Sequence, residues 1–178
     1  MKQKRKILAI IGSTRVDSSN LRLVKKLVEF SGEIFEFTLF EKLSELPHFN
    51  PDLDNENPPK QISEFRQLII ETDAVIICTP EYIFSLPGSL KNAIEWCVST
   101  TIFSQKPVGL ITASASGDKG HEELQLVMKT IETKFSVDTT LLIKGIKGKF
   151  DQQGNLTDQE TIEKLNTFIK AFEKQIDE

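Results

Sequence analysis

The apolar positions of this chain fall into short solid runs separated by longer stretches with helical spacing. Ile7-Leu8-Ala9-Ile10-Ile11, Ala74-Val75-Ile76-Ile77-Cys78 and Val108 to Thr112 are solid or nearly solid apolar runs, as expected of strands covered on both faces. Ile34 to Phe40 alternates instead, with Glu36 and Thr38 on one face and Phe35, Phe37 and Leu39 on the other. Val137 to Ile143 also carries polar residues on one side. Both read as half-exposed edge strands. Between the strands, apolar residues recur at helical spacing: Leu21, Val24, Leu27 and Val28; Ile62, Phe65 and Ile69; Leu90, Ala93, Ile94, Cys97 and Val98; Leu124, Val127, Met128 and Ile131; Ile162, Leu165, Ile169 and Phe172. Pro59 suits the first turn of the second helix, and Thr157 or Asp158 suits the N-cap of the last. Pro47 to Pro59 reads as loop, and Gly145 to Asn155 as a long turn or small hairpin.

Strand then helix, five times over, predicts an α/β fold with a parallel sheet between two helical layers and right-handed crossovers. With the second and fifth strands at the edges, the five strands take the order 2-1-3-4-5, the flavodoxin-like three-layer sandwich. The chain has 178 residues, a length suited to one domain spanning 1–178, and it shows no internal repeat or low-complexity segment.

Composition narrows the function. The net charge of -4 gives no reason to expect nucleic-acid binding. The basic opening Lys2-Gln3-Lys4-Arg5-Lys6 reads as a solvated start to the first strand. The apolar run after it is too short for a signal segment, and no stretch approaches a membrane span. Two cysteines, Cys78 and Cys97, have no metal-type spacing, which suits a reducing, cytoplasmic setting.

In an open α/β sheet, ligands bind beyond the carboxyl ends of the strands near the switch point. The first, third and fourth strand-to-helix loops therefore belong together. The first, Gly12-Ser13-Thr14-Arg15-Val16-Asp17-Ser18-Ser19-Asn20, offers hydroxyls, an amide, one guanidinium and a helix N-terminus, the composition of a phosphate site. The alternative is a capped helix with a polar loop, since Ser18, Ser19 and Asn20 each make good caps. It contains neither Gly-Lys-Ser/Thr nor G-x-G-x-x-G, and one Arg among neutral donors suits a single terminal phosphate. The third loop, from Thr79 through Pro80-Glu81-Tyr82-Ile83-Phe84 to Asn92, places the chain's one tyrosine where it could wall a flat ring or cover the sheet end. The fourth, from Ala113-Ser114-Ala115-Ser116-Gly117 to His121, is small enough to let backbone amides approach a planar ligand, or is a flexible loop with a helix cap.

Gly12-Ser13-x-Arg15-x-x-Ser18-x-Asn20, followed about sixty residues later by Pro80-Glu81-Tyr82 and Pro87-Gly88-x-Leu90-Lys91-Asn92-Ala93-x-Glu95-Trp96, resembles the NADPH-dependent FMN reductases. That family also includes quinone, azo-compound and chromate reductases. The resemblance covers nearly the whole chain, including Leu46-Pro47-x-Phe49-Asn50-x-Asp52-Leu53. It implies an FMN cofactor with NADPH or NADH as reductant. It implies that Ser13, Arg15, Ser18, Ser19 and Asn20 hold the FMN phosphate. Pro80, Glu81 and Tyr82, with Ile83 after them, would lie beside the ribityl chain and isoalloxazine. Ser114, Ser116 and Gly117 would lie at the ring edge. It further implies a homodimer or homotetramer, with the Trp96 helix at the contact. The chain departs from the family at Ile83-Phe84, where an Asn and small residues are usual, and at Asp118, Lys119 and His121, where glycine is commoner.

The expected activity is a two-step transfer from NAD(P)H through FMN to a flavin, quinone or other small aromatic acceptor. The cofactor carries that chemistry, so no catalytic proton-transfer residue is assigned and Glu81 is expected to cap a neighbouring helix. No metal site is expected: His121 and His48 lack accompanying ligands. The other readings are a flavodoxin-like electron carrier and a binding module without flavin chemistry.

Overall fold

A computed structural model describes residues 3–178. Lys2, part of the basic opening, lies outside the described residues. The strands β1 (Arg5–Ile11), β2 (Phe35–Phe40), β3 (Ala74–Thr79), β4 (Val108–Ser114) and β5 (Thr140–Lys144) form one parallel sheet in the order β2-β1-β3-β4-β5. The helices are α1 (Ser19–Ser31), α2 (Lys60–Ile70), α3 (Gly88–Glu95), α4 (Asp118–Thr130) and α5 (Gln159–Asp177).

Alternate residues of the central strands sort onto opposite faces, as the two-residue period requires. Leu8, Ile10, Val75, Ile77 and Leu110 meet Ile62, Phe65, Leu90, Trp96, Leu124 and Met128 of the α2–α4 layer. Ile7, Ala9, Ile11, Ile76, Cys78 and Ile111 meet Leu21, Val24, Leu27, Leu165, Phe168 and Phe172 of α1 and α5. Gly109 interrupts the apolar run of β4 because a Cβ there would stand 2.6 Å from the Phe168 ring. Among the described residues no helix is long and apolar enough to cross a membrane.

Two elements differ from the sequence reading. The fifth strand starts at Thr140, since Val137–Thr139 forms a 3-10 turn. Its geometry is held by reciprocal Ser136 and Thr139 side-chain-to-backbone bonds, a local alternative to the ladder that serine and threonine commonly provide. The third helix ends at Glu95 with Trp96 as its C-cap, so Val98 leaves the apolar stripe and is exposed. The indole of Trp96 is fully buried and donates Nε1–H to the Pro47 carbonyl at 2.8 Å. Asn92 bonds the same loop twice, through Phe49 N and Pro47 O. The Pro47–Pro59 loop is thereby tied to α3.

Asp158 caps α5, accepting from Thr161 N at 2.9 Å and pairing with Lys149 at 2.8 Å. The Lys149 ammonium and the Thr161 donors lower its pKa to about 2. A carboxyl depressed in this way stabilises the fold fully above its unfolded value near 4, and that contribution disappears as the pH falls toward 2. We expect Asp158→Asn to flatten part of the acid limb of a stability-versus-pH curve measured by denaturant unfolding between pH 2 and 6. An unchanged acid limb would remove Asp158 from the acid response.

Candidate active site

The strand ends place three loops side by side. Gly12 leaves β1 by bonding its N–H to the Cys78 carbonyl of β3 at 2.8 Å. A Cβ on Gly12 would lie 2.4 Å from Thr79 Oγ1 and 2.9 Å from Thr79 Cα, so only glycine lets the first loop pass this close to β3. Asn20, buried in the first turn of α1, donates to the Ala113 carbonyl at the end of β4 (3.2 Å) and accepts from the Cys78 thiol (3.3 Å). Its side chain thus clamps the first loop to the ends of β3 and β4. Cys78 is wholly enclosed, and burial pushes its thiol pKa far up. Burial likewise pushes the Cys97 thiol up to about 12, so both cysteines are inert apolar side chains rather than thiolates.

Ser18 is the N-cap of α1, its Oγ accepting from Leu21 N at 3.1 Å. The hydroxyl proton of Ser18 stays available to donate, and the N–H groups of Ser19 and Asn20 have no intrahelical partner by helix geometry. Ser13 Oγ accepts from Arg15 N at 3.3 Å. The Arg15 side chain is exposed and makes no hydrogen bond or salt bridge among the described residues. Arg22, the neighbouring cation, is instead bound to Asp17 through both guanidinium and carboxylate edges.

In the third loop, Glu81 turns its carboxylate away from the loop and onto α4. Oε1 accepts from Gly117 N at 3.2 Å and Oε2 from Gly120 N at 2.7 Å. It supplies the N-terminal cap that Gly117, in the left-handed region at φ 95°, cannot supply itself. Glu81→Gln puts an NH2 group against one of those N–H donors. We expect it to lower stability by about 1–2 kcal/mol, the scale of a lost helix cap, read as a shift in urea midpoint. A change below a few tenths would mean the cap contributes nothing.

Tyr82 and Ser85 exchange two backbone bonds of 3.0 Å across a tight turn, with Ile83 at φ 50° and Phe84 at φ 58°. Positive φ at both central positions is the I′ geometry, which favours Asn and Gly. A β-branched residue there carries strain of roughly 1–2 kcal/mol, and Ile83 is 95% exposed, so no packing offsets it locally. Ile83→Asn should raise stability by about 1 kcal/mol in thermal or denaturant unfolding. A destabilised variant would show that Ile83 has a packing partner.

These loops enclose a cleft of about 470 Å³. Of the predicted site residues, Ser13, Arg15, Ser18, Ser19, Asn20, Pro80, Glu81, Tyr82 and Ser114 line it. Ile83, Ser116 and Gly117 are not among the lining residues: Ile83 projects outward, Ser116 bonds Asp118 at 3.0 Å and Gly117 starts α4. Ala113 and Ala115 of the fourth loop also line it, and the cleft has a further wall that sequence reasoning missed, the segment Gly145–Gly148 after β5. The Gly145 and Gly148 positions around Lys147 were the available signal. His121 is half-buried with Nδ1 2.9 Å from Thr112 Oγ1, and desolvation lowers its pKa. Among the described residues no cluster of His, Cys, Asp or Glu could hold a metal.

The family of NADPH-dependent FMN reductases is matched over residues 5–144. The chain belongs to that family. Among curated relatives, it is 30% identical over 174 residues to a 2-hydroxy-1,4-benzoquinone reductase of Burkholderia sp, covering 94% of this chain and 93% of that protein. It is 27% identical over 176 residues to an NADPH:quinone oxidoreductase of Arabidopsis thaliana, covering 94% and 90%. Among solved structures, the flavoenzyme NAD(P)H:(acceptor) oxidoreductase FerB of Paracoccus denitrificans superposes with a TM-score of 0.80 at 27% identity over 97% of each chain. As a member of this family the protein is a flavin-dependent oxidoreductase that uses FMN and a nicotinamide nucleotide.

The residues present fit FMN. The cleft volume lies within the range of roughly 300–1,000 Å³ usual for small-molecule sites. One end offers a guanidinium, hydroxyls and free helix N–H groups, the donor set a phosphate monoester requires. The other end offers the flat surfaces of Pro80 and Tyr82 with the small residues Ala113, Ser114 and Ala115.

Proposed function

We propose that this cleft holds FMN with its phosphate toward Arg15 and its ring toward Tyr82, and that the protein passes reducing equivalents from NAD(P)H to a quinone. The observation that carries the reading is that a single cleft joins the cationic, donor-rich first loop (Arg15, Ser13, Ser18, Ser19) to Pro80, Tyr82 and the small residues Ala113, Ser114 and Ala115, with Arg15 and Ser19 also lining a depression that excludes Pro80 and Tyr82. Bound FMN supplies hydride acceptance from the nicotinamide and electron donation to the acceptor.

The chain's own residues bind and orient. Arg15 supplies a two-pronged cation for phosphate oxygens, and Ser13, Ser18 and Ser19 add neutral donors. Asn20 acts through position, keeping the first loop registered on β3 and β4. Pro80 and Tyr82 wall the ring, and Ser114 reaches its edge. Ser116 and Gly117 shape the fourth loop, and Ile83 frames the open side beside Phe84. Among the described residues Glu81 is the one carboxylate lining the cleft. Both of its oxygens already accept backbone bonds, so it holds the loop and moves no proton. The quinone acceptor is proposed from the names of the relatives. A homodimer or homotetramer in the cytoplasm is the assembly and setting we propose with it.

The test is a titration of the purified protein with FMN, followed by anaerobic addition of NADPH, then NADH, then a benzoquinone. Expected are tight FMN binding, loss of its visible absorbance with at least one nicotinamide, and recovery with the quinone. FMN that binds without bleaching would replace the enzyme reading with that of an electron carrier. FMN that fails to bind would refute the assignment of the cleft.

A further inference from the structure

Lys147 is a cation that no motif of the first three loops includes, and the family match ends just before it, at residue 144. It sits on the segment after β5, where the structure builds a firm platform. Gly145 N–H bonds the Ala115 carbonyl at 3.1 Å, Gly148 N–H bonds Gly145 O at 3.0 Å, and Ile146 is buried in the α1/α5 layer. Lys149 continues the turn and is anchored to Asp158 at 2.8 Å. The 3-10 turn Ile146–Lys149 thus alternates a buried side chain with an outward one. Lys147 is exposed and makes no hydrogen bond or salt bridge among the described residues.

Its place along the cleft is decided by what it shares. Lys147 lines the main cleft with Ser13, Arg15 and Ser19. It also lines a smaller depression with Arg15, Asp17, Ser19, Arg22 and Asp151, which contains none of Pro80, Glu81 or Tyr82. Lys147 therefore stands at the Arg15 end, away from the ring end. In that depression Arg22 is held by Asp17, and Asp151 accepts from Gln153 N and Asn155 N. Arg15 and Lys147 are the two cations there that make no hydrogen bond or salt bridge among the described residues; Arg15 feels Asp17 only through space, as one of the charges that lower the Asp17 pKa.

We propose that Lys147, on the segment after β5, is the second cation of the phosphate pocket, joining Arg15 of the first loop. The inference rests on the FMN reading of the cleft. A phosphate monoester carries about two negative charges at pH 7, and Arg15 balances one of them. An ammonium on a four-carbon stem reaches a phosphate oxygen as a point charge, complementing the two-pronged guanidinium. The pocket then selects FMN over riboflavin, which has the same ring and ribityl chain without the charge.

The experiment compares FMN and riboflavin binding, by quenching of flavin fluorescence, for the wild-type chain, Lys147→Gln and Lys147→Arg. Lys147→Gln should weaken FMN binding about tenfold at low salt, the scale of one lost charge-assisted bond, and leave riboflavin binding unchanged. Lys147→Arg should keep most of the affinity. Raising the salt should narrow the gap between wild type and Lys147→Gln. Equal FMN affinity in wild type and Lys147→Gln would overturn the proposal, and so would an equal loss for FMN and riboflavin. Failure of the wild-type chain itself to bind FMN would instead refute the cofactor reading, so the two failures are distinguishable. The unfolding midpoint of each cofactor-free variant confirms that the fold is intact.

Discussion

Gly12→Ala is expected to lower the stability of the cofactor-free protein by about 3 kcal/mol, the upper range of overpacking in a closed site. The added methyl would stand 2.4 Å from Thr79 Oγ1 and 2.9 Å from Thr79 Cα. A flexible side chain could rotate away, but a Cα of a central strand cannot. Either the Gly12–Cys78 bond of 2.8 Å breaks or the first loop lifts off β3. Both outcomes also move Ser13, Arg15 and the α1 N-terminus relative to Tyr82 and Ser114. FMN binding should therefore fall even under conditions where the variant remains folded. Urea unfolding gives the first quantity and an FMN titration the second. Gly88→Ala is the matched control, because a Cβ there meets nothing within 4 Å and the position opens α3. A Gly12→Ala protein as stable as the control would mean the strand ends yield more easily than their packing indicates.

Arg15→Ala is expected to weaken FMN binding by roughly 1.5–3 kcal/mol, the value of a hydrogen bond to a charged group. Its stability without cofactor should change by less than about 0.5 kcal/mol, as for surface substitutions generally. The asymmetry follows from the structure: Arg15 is exposed and makes no hydrogen bond or salt bridge among the described residues, and Asp17, which its charge influences at a distance, keeps Arg22 as its partner. Riboflavin binding should be unaffected. Unchanged FMN affinity would take the phosphate away from this loop. Arg22 shows why the position matters more than the residue type, since its guanidinium is already committed to Asp17.

The element order and the sheet order were legible because each solid strand run is short and each helix stripe regular. The errors came where specific hydrogen bonds, near or far along the chain, override periodicity. Val137–Thr139 has strand-like composition, but Ser136 and Thr139 bond each other's backbone, and the ladder starts three residues late. Cys97 and Val98 continue a helical stripe on paper. The chain turns at Trp96 because its indole is fixed on Pro47 and the Arg66 side chain donates to the Trp96 carbonyl. Those partners lie 49 and 30 positions away, beyond the reach of any local pattern.

What the sequence determined by itself is the alternation of strands and helices, the burial of the central strands on both faces, and the donor-rich composition of the first loop. These depend on neighbours within a few residues, where the period of the backbone dictates which side chains share a face. The family motifs also belong there, since they occupy contiguous loops. Only the tertiary structure decided which side chains face the cleft and which are spent holding it. Asn20 reads as a phosphate ligand or a helix cap, yet its side chain clamps the first loop to the ends of β3 and β4, and the helix that the expected Glu81 cap serves, α4, is visible only in the fold. Lys147 reads as one lysine in a polar turn, yet it arrives beside Arg15. The physical reason is that a polar side chain's role depends on which donors and acceptors surround it in space, and those come from elements far apart along the chain.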